Sequence, residues 1–260
     1  KGKSEGEVMR LCQALMTQIY SHLCTHKELT AGDIGVGARE VGFMAGMMKK
    51  LSNNSACVFT GKGLSFGGSL IRPEATGYGL VYFTEAMLKR HGLGFEGMRV
   101  AVSGSGNVAQ YAIEKAMQFG ARVVTASDSR GTVVDEAGFT AEKLARLCDI
   151  KASRDGRLAD YAREFGLTWL EGKQPWGVPV DIALPCATQN ELDTEAARTL
   201  ITNGVKAVAE GANMPTTIEA TDLFLEAGML FAPGKAANAG GVATSGLEMA
   251  QNAARLGWKA

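Results

Sequence analysis

The chain has 260 residues, 46% hydrophobic and 21% charged, and its 27 Lys+Arg balance 27 Asp+Glu to a formal net charge of zero. That composition excludes a disordered polymer, and the neutral balance excludes a global field that would draw nucleic acid or an anionic membrane. With no apolar run of about 20 residues and no signal-peptide pattern, the expectation is a cytoplasmic α/β protein with no membrane or nucleic-acid partner.

The chain opens on Lys1-Gly2-Lys3 and closes on Gly257-Trp258-Lys259-Ala260, and both ends read as cuts in a longer protein. Ser4-Glu5-Gly6-Glu7 is a capping box, with Ser4 as N-cap and Glu7 three residues on. Val8, Leu11, Leu15 and Ile19 follow at helical spacing and predict an amphipathic helix over about 4–23. His22, Cys24 and His26 lie close enough to raise a metal site, but a solvated helix end is the preferred reading and no metal is expected. The five cysteines (Cys12, Cys24, Cys57, Cys148, Cys186) include no CxxC pair and read as reduced thiols.

A glycine-studded loop at 31–38 precedes a helix from about Arg39 to Leu51, with Val41, Met44, Met48 and Leu51 as its buried face. A second glycine-rich loop, TGKGLSFGGS at 60–69, leads to a long helix from Ala75 to His91 that stops at Gly92. Short strands and helices then alternate. Strands are predicted at 99–103, 122–127, 180–184, 205–209 and 229–232, with a hairpin arm at 132–135. Helices are predicted at 107–119, 140–149, 157–165, 193–202, 216–227 and 240–256. Such alternation argues a doubly wound, mostly parallel sheet of Rossmann-like type.

The strand RVAVS runs into Gly104-Ser105-Gly106-Asn107-Val108-Ala109, which opens a helix, and the next strand ends at Asp128. Gly104 permits a tight turn, Gly106 lets a pyrophosphate approach the backbone, and Ala109 lets helix and strand pack closely. The helix N-terminus offers free N–H groups to phosphates. Asp128 stands 24 residues after Gly104, where a carboxylate would bind an adenosine ribose 2′-OH. Ser129, Arg130, Lys151, Arg154 and Arg157 could instead serve a 2′-phosphate, so spacing alone leaves NAD and NADP open. Three later strands end in loops suited to a cofactor crevice: Pro185–Asn190, Glu210–Pro215 and Pro233–Gly241.

The stretches AGDIGVGARE (31–40), TGKGLSFGGS (60–69), RPEATGYG (72–79) and NAGGVATS (238–245) carry a resemblance. Together with SGSGNVAQ (103–110), CATQNEL (186–192) and EGANMPTT (210–217), they resemble the hexameric glutamate dehydrogenases, and the bacterial NADP-dependent branch most of all. The resemblance covers essentially the whole chain. It implies Asp33 as the catalytic carboxylate, exchanging protons with the substrate amino group and carbinolamine. Arg72 and Thr76 would lie at the nicotinamide end, and Asn107 would meet the pyrophosphate beside Gly104, Gly106 and Val108. Ala187, Thr188, Gln189, Gly211 and Asn213 would line the nicotinamide ribose and ring, with Asn238 contacting cofactor or substrate. Ser245 matches the residue that binds the glutamate γ-carboxylate. Ser129, Lys151 and Arg157 match positions that hold a 2′-phosphate, which favours NADP over the NAD reading of Asp128.

One departure stands out. The family's catalytic lysine lies in a PxGGxKGG motif that this sequence lacks, and Lys62 in TGKG belongs to a different loop. The expected organisation is a partial α/β substrate domain at 1–70, a dinucleotide-binding domain at 71–237, and the start of a returning helix at 238–260. The implied activity is reversible NADP-dependent oxidative deamination of L-glutamate to 2-oxoglutarate and ammonia, in a homo-hexamer. The 260-residue polypeptide by itself is expected to be inactive. Rival readings are a dehydrogenase for leucine, phenylalanine or valine, which the polar Ser245 disfavours, and a non-catalytic NADP-binding module.

Overall fold

A computed structural model describes residues 3–23, 30–32, 35–53, 58–153 and 156–258. Cys24, His26, Asp33, Cys57 and Arg154 lie outside the described residues. The chain divides into two units, one of Lys1–Pro73 with Val242–Ala260 and one of Glu74–Gly241.

In the first unit the capping box starts helix α1 (Glu5–Ile19): the Glu7 amide donates to Ser4 Oγ over 3.2 Å, and the Ser4 amide donates to Glu7 Oε2 over 2.6 Å. Helix α2 (Ala38–Ser52) opens with the Glu40 carboxylate accepting from the Gly37 amide at 2.9 Å. The two helices pack on each other around Met16, Val41, Ala45, Met48, Val58 and Phe59. The stripe expected of α1 is displaced. Cys12 and Met16 are buried, whereas Leu11 and Leu15 are 70% and 47% exposed, because α2 covers the neighbouring face. Of the face expected on α2, Val41 and Met48 are buried and Met44 and Leu51 only partly so.

The second unit holds, in chain order, α3 (Ala75–Lys89), β1 (Arg99–Val102), α4 (Asn107–Gln118), β2 (Arg122–Val123), β3 (Thr125–Asp128), β4 (Gly131–Val134), α5 (Ala141–Ala152) and α6 (Leu158–Glu164). It continues with β5 (Thr168–Glu171), β6 (Ile182–Leu184), α7 (Thr194–Thr202), β7 (Ala207–Ala209), α8 (Ile218–Glu226), β8 (Leu230–Ala232) and α9 (Gly234–Ala237). The last helix, α10 (Gly240–Ala253), carries the chain back to the first unit. Five strands pair in the order β2-β1-β6-β7-β8, all parallel. Their side chains alternate between two cores, as a sheet covered on both faces requires. Val100, Val102, Ile182 and Leu184 join the core under α3 and α4, while Ala101, Ala183 and Val208 join that under α7 and α8.

The segment expected as one strand at 122–127 is two. Arg122 and Val123 pair with β1, but Thr125 onward pairs antiparallel with β4, which in turn pairs with β5, a strand absent from the sequence reading. The cause is a hydroxyl. Thr125 Oγ1 accepts from the Val102 amide at 2.9 Å and donates to the Val102 carbonyl at 3.0 Å, occupying the groups on which the next rung of the parallel ladder would form.

Candidate functional site

Strand β1 ends at Val102, and after Ser103 the chain turns at Gly104 with φ +81°, a conformation that excludes most side chains. A Cβ there would also lie 3.0 Å from the Cys186 carbonyl oxygen and 3.2 Å from Ala187 Cα. Ser127 fixes the turn from below, its Oγ accepting from the Gly104 amide at 2.8 Å. Gly106 differs: its φ is −85°, and a Cβ would meet no protein atom within 4 Å. Glycine there supplies open room above the backbone rather than packing. Gly106 is the N-cap of α4 with no side-chain cap, so the first amides of α4, at exposed Asn107 and half-buried Val108, face that room with the positive end of the helix dipole. This cradle fits a pyrophosphate.

The loops after β6, β7 and β8 are tied to one another. The Gly211 and Ala212 amides donate to the Pro185 carbonyl at 2.9 and 3.0 Å, and the Asn190 amide donates to the Met214 carbonyl at 3.0 Å. Asn238 Nδ2 donates to the carbonyls of Gly211 and Ala212, both at 3.3 Å, and to Asn213 Oδ1 at 2.9 Å. Gly211 lies so close beneath that a Cβ would stand 2.6 Å from Cys186 Sγ and 3.2 Å from Val108 Cγ1. The structure therefore brings Gly104, Val108, Ala187, Gly211, Asn213 and Asn238 to one edge of the sheet. Thr188 and Gln189 are exposed in the β6 loop. Thr76 is half-buried in the first turn of α3, which packs backbone against backbone on α4 where Gly77 meets Ala112.

Two carboxylates brace these loops, that of buried Glu210 and that of half-buried Glu191, whose Oε2 is itself buried, and spacing alone does not reveal them. Glu210 Oε2 accepts from the Gly234 amide at 2.6 Å and its Oε1 from the Thr216 amide at 3.3 Å, stapling the ends of β7 and β8. Glu191 Oε1 accepts from the Ser103 hydroxyl at 2.8 Å and from the Ala187 amide at 3.0 Å, bridging β1 and β6. Burial pushes the Glu191 carboxyl up to about 7, against the opposing pull of the Ala187 amide, the Ser103 hydroxyl and the Thr188 amide. Complete burial likewise pushes the Cys186 thiol well up, leaving it an inert packing group.

In the separate three-stranded sheet, Asp128 closes β3 and its Oδ1 accepts from the Arg130 amide at 2.8 Å, shaping the turn into β4. Ser129 is exposed at that turn, Lys151 is half-buried in the last turn of α5, and Arg157 is the exposed N-cap of α6. Helix α6 packs on β4.

The remaining residues singled out in the sequence lie in the first unit, described by itself. Arg72 Nε donates to Ser245 Oγ at 2.9 Å. Lys62 is not free to act on a substrate: its side chain is 1% exposed, and Nζ lies 2.5 Å from both Glu248 Oε1 and the Phe59 carbonyl. Glu248 Oε2 also accepts from the Gly61 amide at 2.9 Å, so the pair holds the 60–69 loop to α10. Among the described residues there is no cluster of His, Cys, Asp and Glu able to hold a metal ion, and no helix long and apolar enough to cross a membrane.

The sheet order, the two covering helix layers and the glycine turn define a doubly wound α/β protein of Rossmann-like type. Residues 67–260 match the family model for Glutamate/Leucine/Phenylalanine/Valine dehydrogenase, and residues 1–50 match that for the Glu/Leu/Phe/Val dehydrogenase dimerisation domain. The chain belongs to this dehydrogenase family. It is 89% identical over 260 residues to an NADP-specific glutamate dehydrogenase of Salmonella typhi and 85% identical over 260 residues to one of Escherichia coli. In each case the match takes in 100% of this chain and 58% of the relative, so the chain spans little more than half the length of the curated relatives it matches. The crystal structure of Plasmodium falciparum glutamate dehydrogenase superposes with a TM-score of 0.94 at 46% identity, covering 100% of this chain and 56% of that one.

Proposed function

We propose that the chain is the NADP-binding part of a glutamate dehydrogenase, which interconverts L-glutamate with 2-oxoglutarate and ammonia. The observation that carries this reading is the open, uncapped turn at Gly104–Asn107, flanked by the Ala187–Gln189, Gly211–Asn213 and Asn238 loops, in a chain so similar to NADP-specific relatives. In this reading the amides of Asn107 and Val108 hold the pyrophosphate, and Thr76, Ala187, Thr188, Gln189, Asn213 and Asn238 hold the nicotinamide and its ribose. Asp128 lies at the adenosine ribose, while Ser129, Lys151 and Arg157 hold the 2′-phosphate, the latter two supplying positive charge.

The nicotinamide supplies hydride chemistry when bound. The protein's part is to orient the reactants, exclude water and move protons. Asp33 is the proposed proton carrier for the substrate amino group. Ser245 is proposed to hold the γ-carboxylate, with Arg72 at the nicotinamide end. We further propose a cytoplasmic homo-hexamer as the assembled form.

Titrating the protein with NADPH and with NADH under thermal shift tests the cofactor assignment. NADPH at about 100 times its Kd should stabilise the fold by about 2.7 kcal/mol. Lys151→Ala and Arg157→Ala should weaken NADPH while leaving NADH unchanged. Equal stabilisation by both cofactors would remove the 2′-phosphate role from these residues.

A further inference from the structure

The connections leave β1 and β6 in opposite directions, so the sheet's topological switch point falls between these neighbours. Glu191 occupies that point. Its Oε1 takes the Ser103 hydroxyl from the end of β1 and the Ala187 amide from the end of β6, and Ser103 Oγ in turn accepts from the Cys186 amide at 2.8 Å. One carboxylate oxygen thus sets the separation between the phosphate turn and the loop proposed to hold the nicotinamide ribose. The other oxygen, Oε2, is buried with no hydrogen-bond partner.

Resting on the dinucleotide reading above, we propose that Glu191 is the positioning residue of the cofactor crevice and that its protonation from solvent increases when the dinucleotide binds. The groups facing it are the Ser103 hydroxyl, the amides of Ala187 and Thr188, and the Cys186 thiol, while the Trp176 indole donates to its main-chain oxygen. Among the described residues no cation contributes to its ionisation, and the thiol stays neutral. A pyrophosphate on the Gly104–Asn107 turn would bring negative charge to the turn that starts from Ser103, whose hydroxyl donates to this carboxylate. Like charges favour protonation, and the proton can reside on Oε2 while Oε1 keeps accepting its two hydrogen bonds. The carboxyl already titrates near 7, so this uptake falls within the physiological range. Below that pH the group is already protonated and binding meets no penalty. Above it, affinity falls as pH rises, then levels once the pH passes the raised value in the complex.

The test measures NADPH Kd by fluorescence from pH 6 to 8.5 for the wild type, Glu191→Gln and Glu191→Ala. A rise of one pKa unit on binding predicts about a tenfold loss of wild-type affinity across this range, relative to Glu191→Gln. The 2′-phosphate of NADPH also titrates near 6, but it contributes alike to both proteins, so their difference is the readout. Glu191→Gln retains the acceptor and mimics the protonated form, and it should match the wild type at pH 6. Glu191→Ala removes the acceptor and should bind about tenfold more weakly at every pH. Calorimetry of the wild type at pH 7.5, in two buffers of different ionisation enthalpy, should show net proton uptake that Glu191→Gln lacks; this reading stands even if Glu191→Ala fails to fold. Superimposable pH profiles with equal proton counts would overturn the proton role, and wild-type affinity in folded Glu191→Ala would overturn the positioning role. If the wild type binds neither NADPH nor NADH, the cofactor reading falls and this inference with it; NADPH binding with indifferent Glu191 variants removes this inference alone.

Discussion

Arg72 Nε donates to Ser245 Oγ across 2.9 Å, joining the two ends of the first unit through a pair 173 positions apart in the chain. The resemblance assigns the two residues to different ligands, yet their side chains touch. A γ-carboxylate held by Ser245 would therefore lie beside a guanidinium. Ser245→Ala is expected to weaken 2-oxoglutarate binding to the NADPH-loaded protein by about 10- to 100-fold, the worth of a hydrogen bond to a charged group. The added thermal shift on titrating 2-oxoglutarate is the measurement, and an unchanged shift would remove Ser245 from the substrate site.

The two glycines of the turn between β1 and α4 are expected to separate folding from binding. Gly104→Ala forces a Cβ into a positive-φ position already crowded by Cys186 and Ala187, and should lose about 1–2 kcal/mol of stability. Gly106→Ala meets no protein atom, so its cost in urea unfolding should stay below about 1 kcal/mol. NADPH affinity should nonetheless drop more than tenfold in Gly106→Ala, because the methyl fills the space proposed for the pyrophosphate. Unimpaired NADPH binding by this variant would place the cofactor elsewhere.

The buried pair of Lys62 and Glu248 gives a third expectation. Lys62→Met or Glu248→Leu alone strands a charge in the interior and should cost about 3–5 kcal/mol. The double substitution strands none and should recover most of that loss. Urea denaturation of the three variants decides it, and additive losses would show that the pair acts through packing rather than charge.

Stability should also respond to pH through Glu191, with a sign opposite to that of most carboxylates. Its folded-state value of about 7 lies above the 4.5 of an unperturbed glutamate, so the native state holds the proton more tightly than the unfolded chain. Its contribution is present in full below about pH 4.5 and lost as pH rises to 7, on the order of 3 kcal/mol in all. Glu191→Gln should therefore match the wild type at pH 4.5 and exceed it in stability at pH 8. Asp181 behaves conversely. Burial pushes its carboxyl up, but Lys206 at 2.9 Å and the Arg99 amide outweigh that and hold it below its ordinary value. Asp181→Asn should therefore destabilise at neutral pH and become indifferent in acid.

Much of the second unit is legible in its sequence because strand and helix periods alternate cleanly. The segments around β1, α4, β6, β7 and β8 fall within a few residues of expectation. What escapes is set by single side chains acting at a distance. The break between β2 and β3 depends on the Thr125 hydroxyl meeting Val102, a contact 23 residues away that no local pattern encodes. Strand β5 reads as TWLE, too short and too mixed to signal a strand until β4 is there to pair with it. On α1, Leu11 and Leu15 carry the strongest apolar signal, yet α2 covers the residues beside them.

The site divides in the same way. Gly104 and Gly106 declare themselves through their place between strand and helix. Glu191 and Glu210 do not, since a glutamate after CATQN or before GANMP reads as an ordinary surface charge until its burial is known. Burial and partnership are tertiary facts, and they decide which carboxylate braces a loop and which merely meets solvent.

Thr125 has a consequence beyond the sheet it ends. By turning the chain out of the parallel ladder, it hangs the Asp128–Gly131 turn on a separate three-stranded arm, with Ser129 and Arg130 exposed at the tip. Substitutions at that tip leave the packed strands undisturbed. Natural selection can therefore exchange the side chains of this rim, one residue at a time, while the inherited core stays as it is.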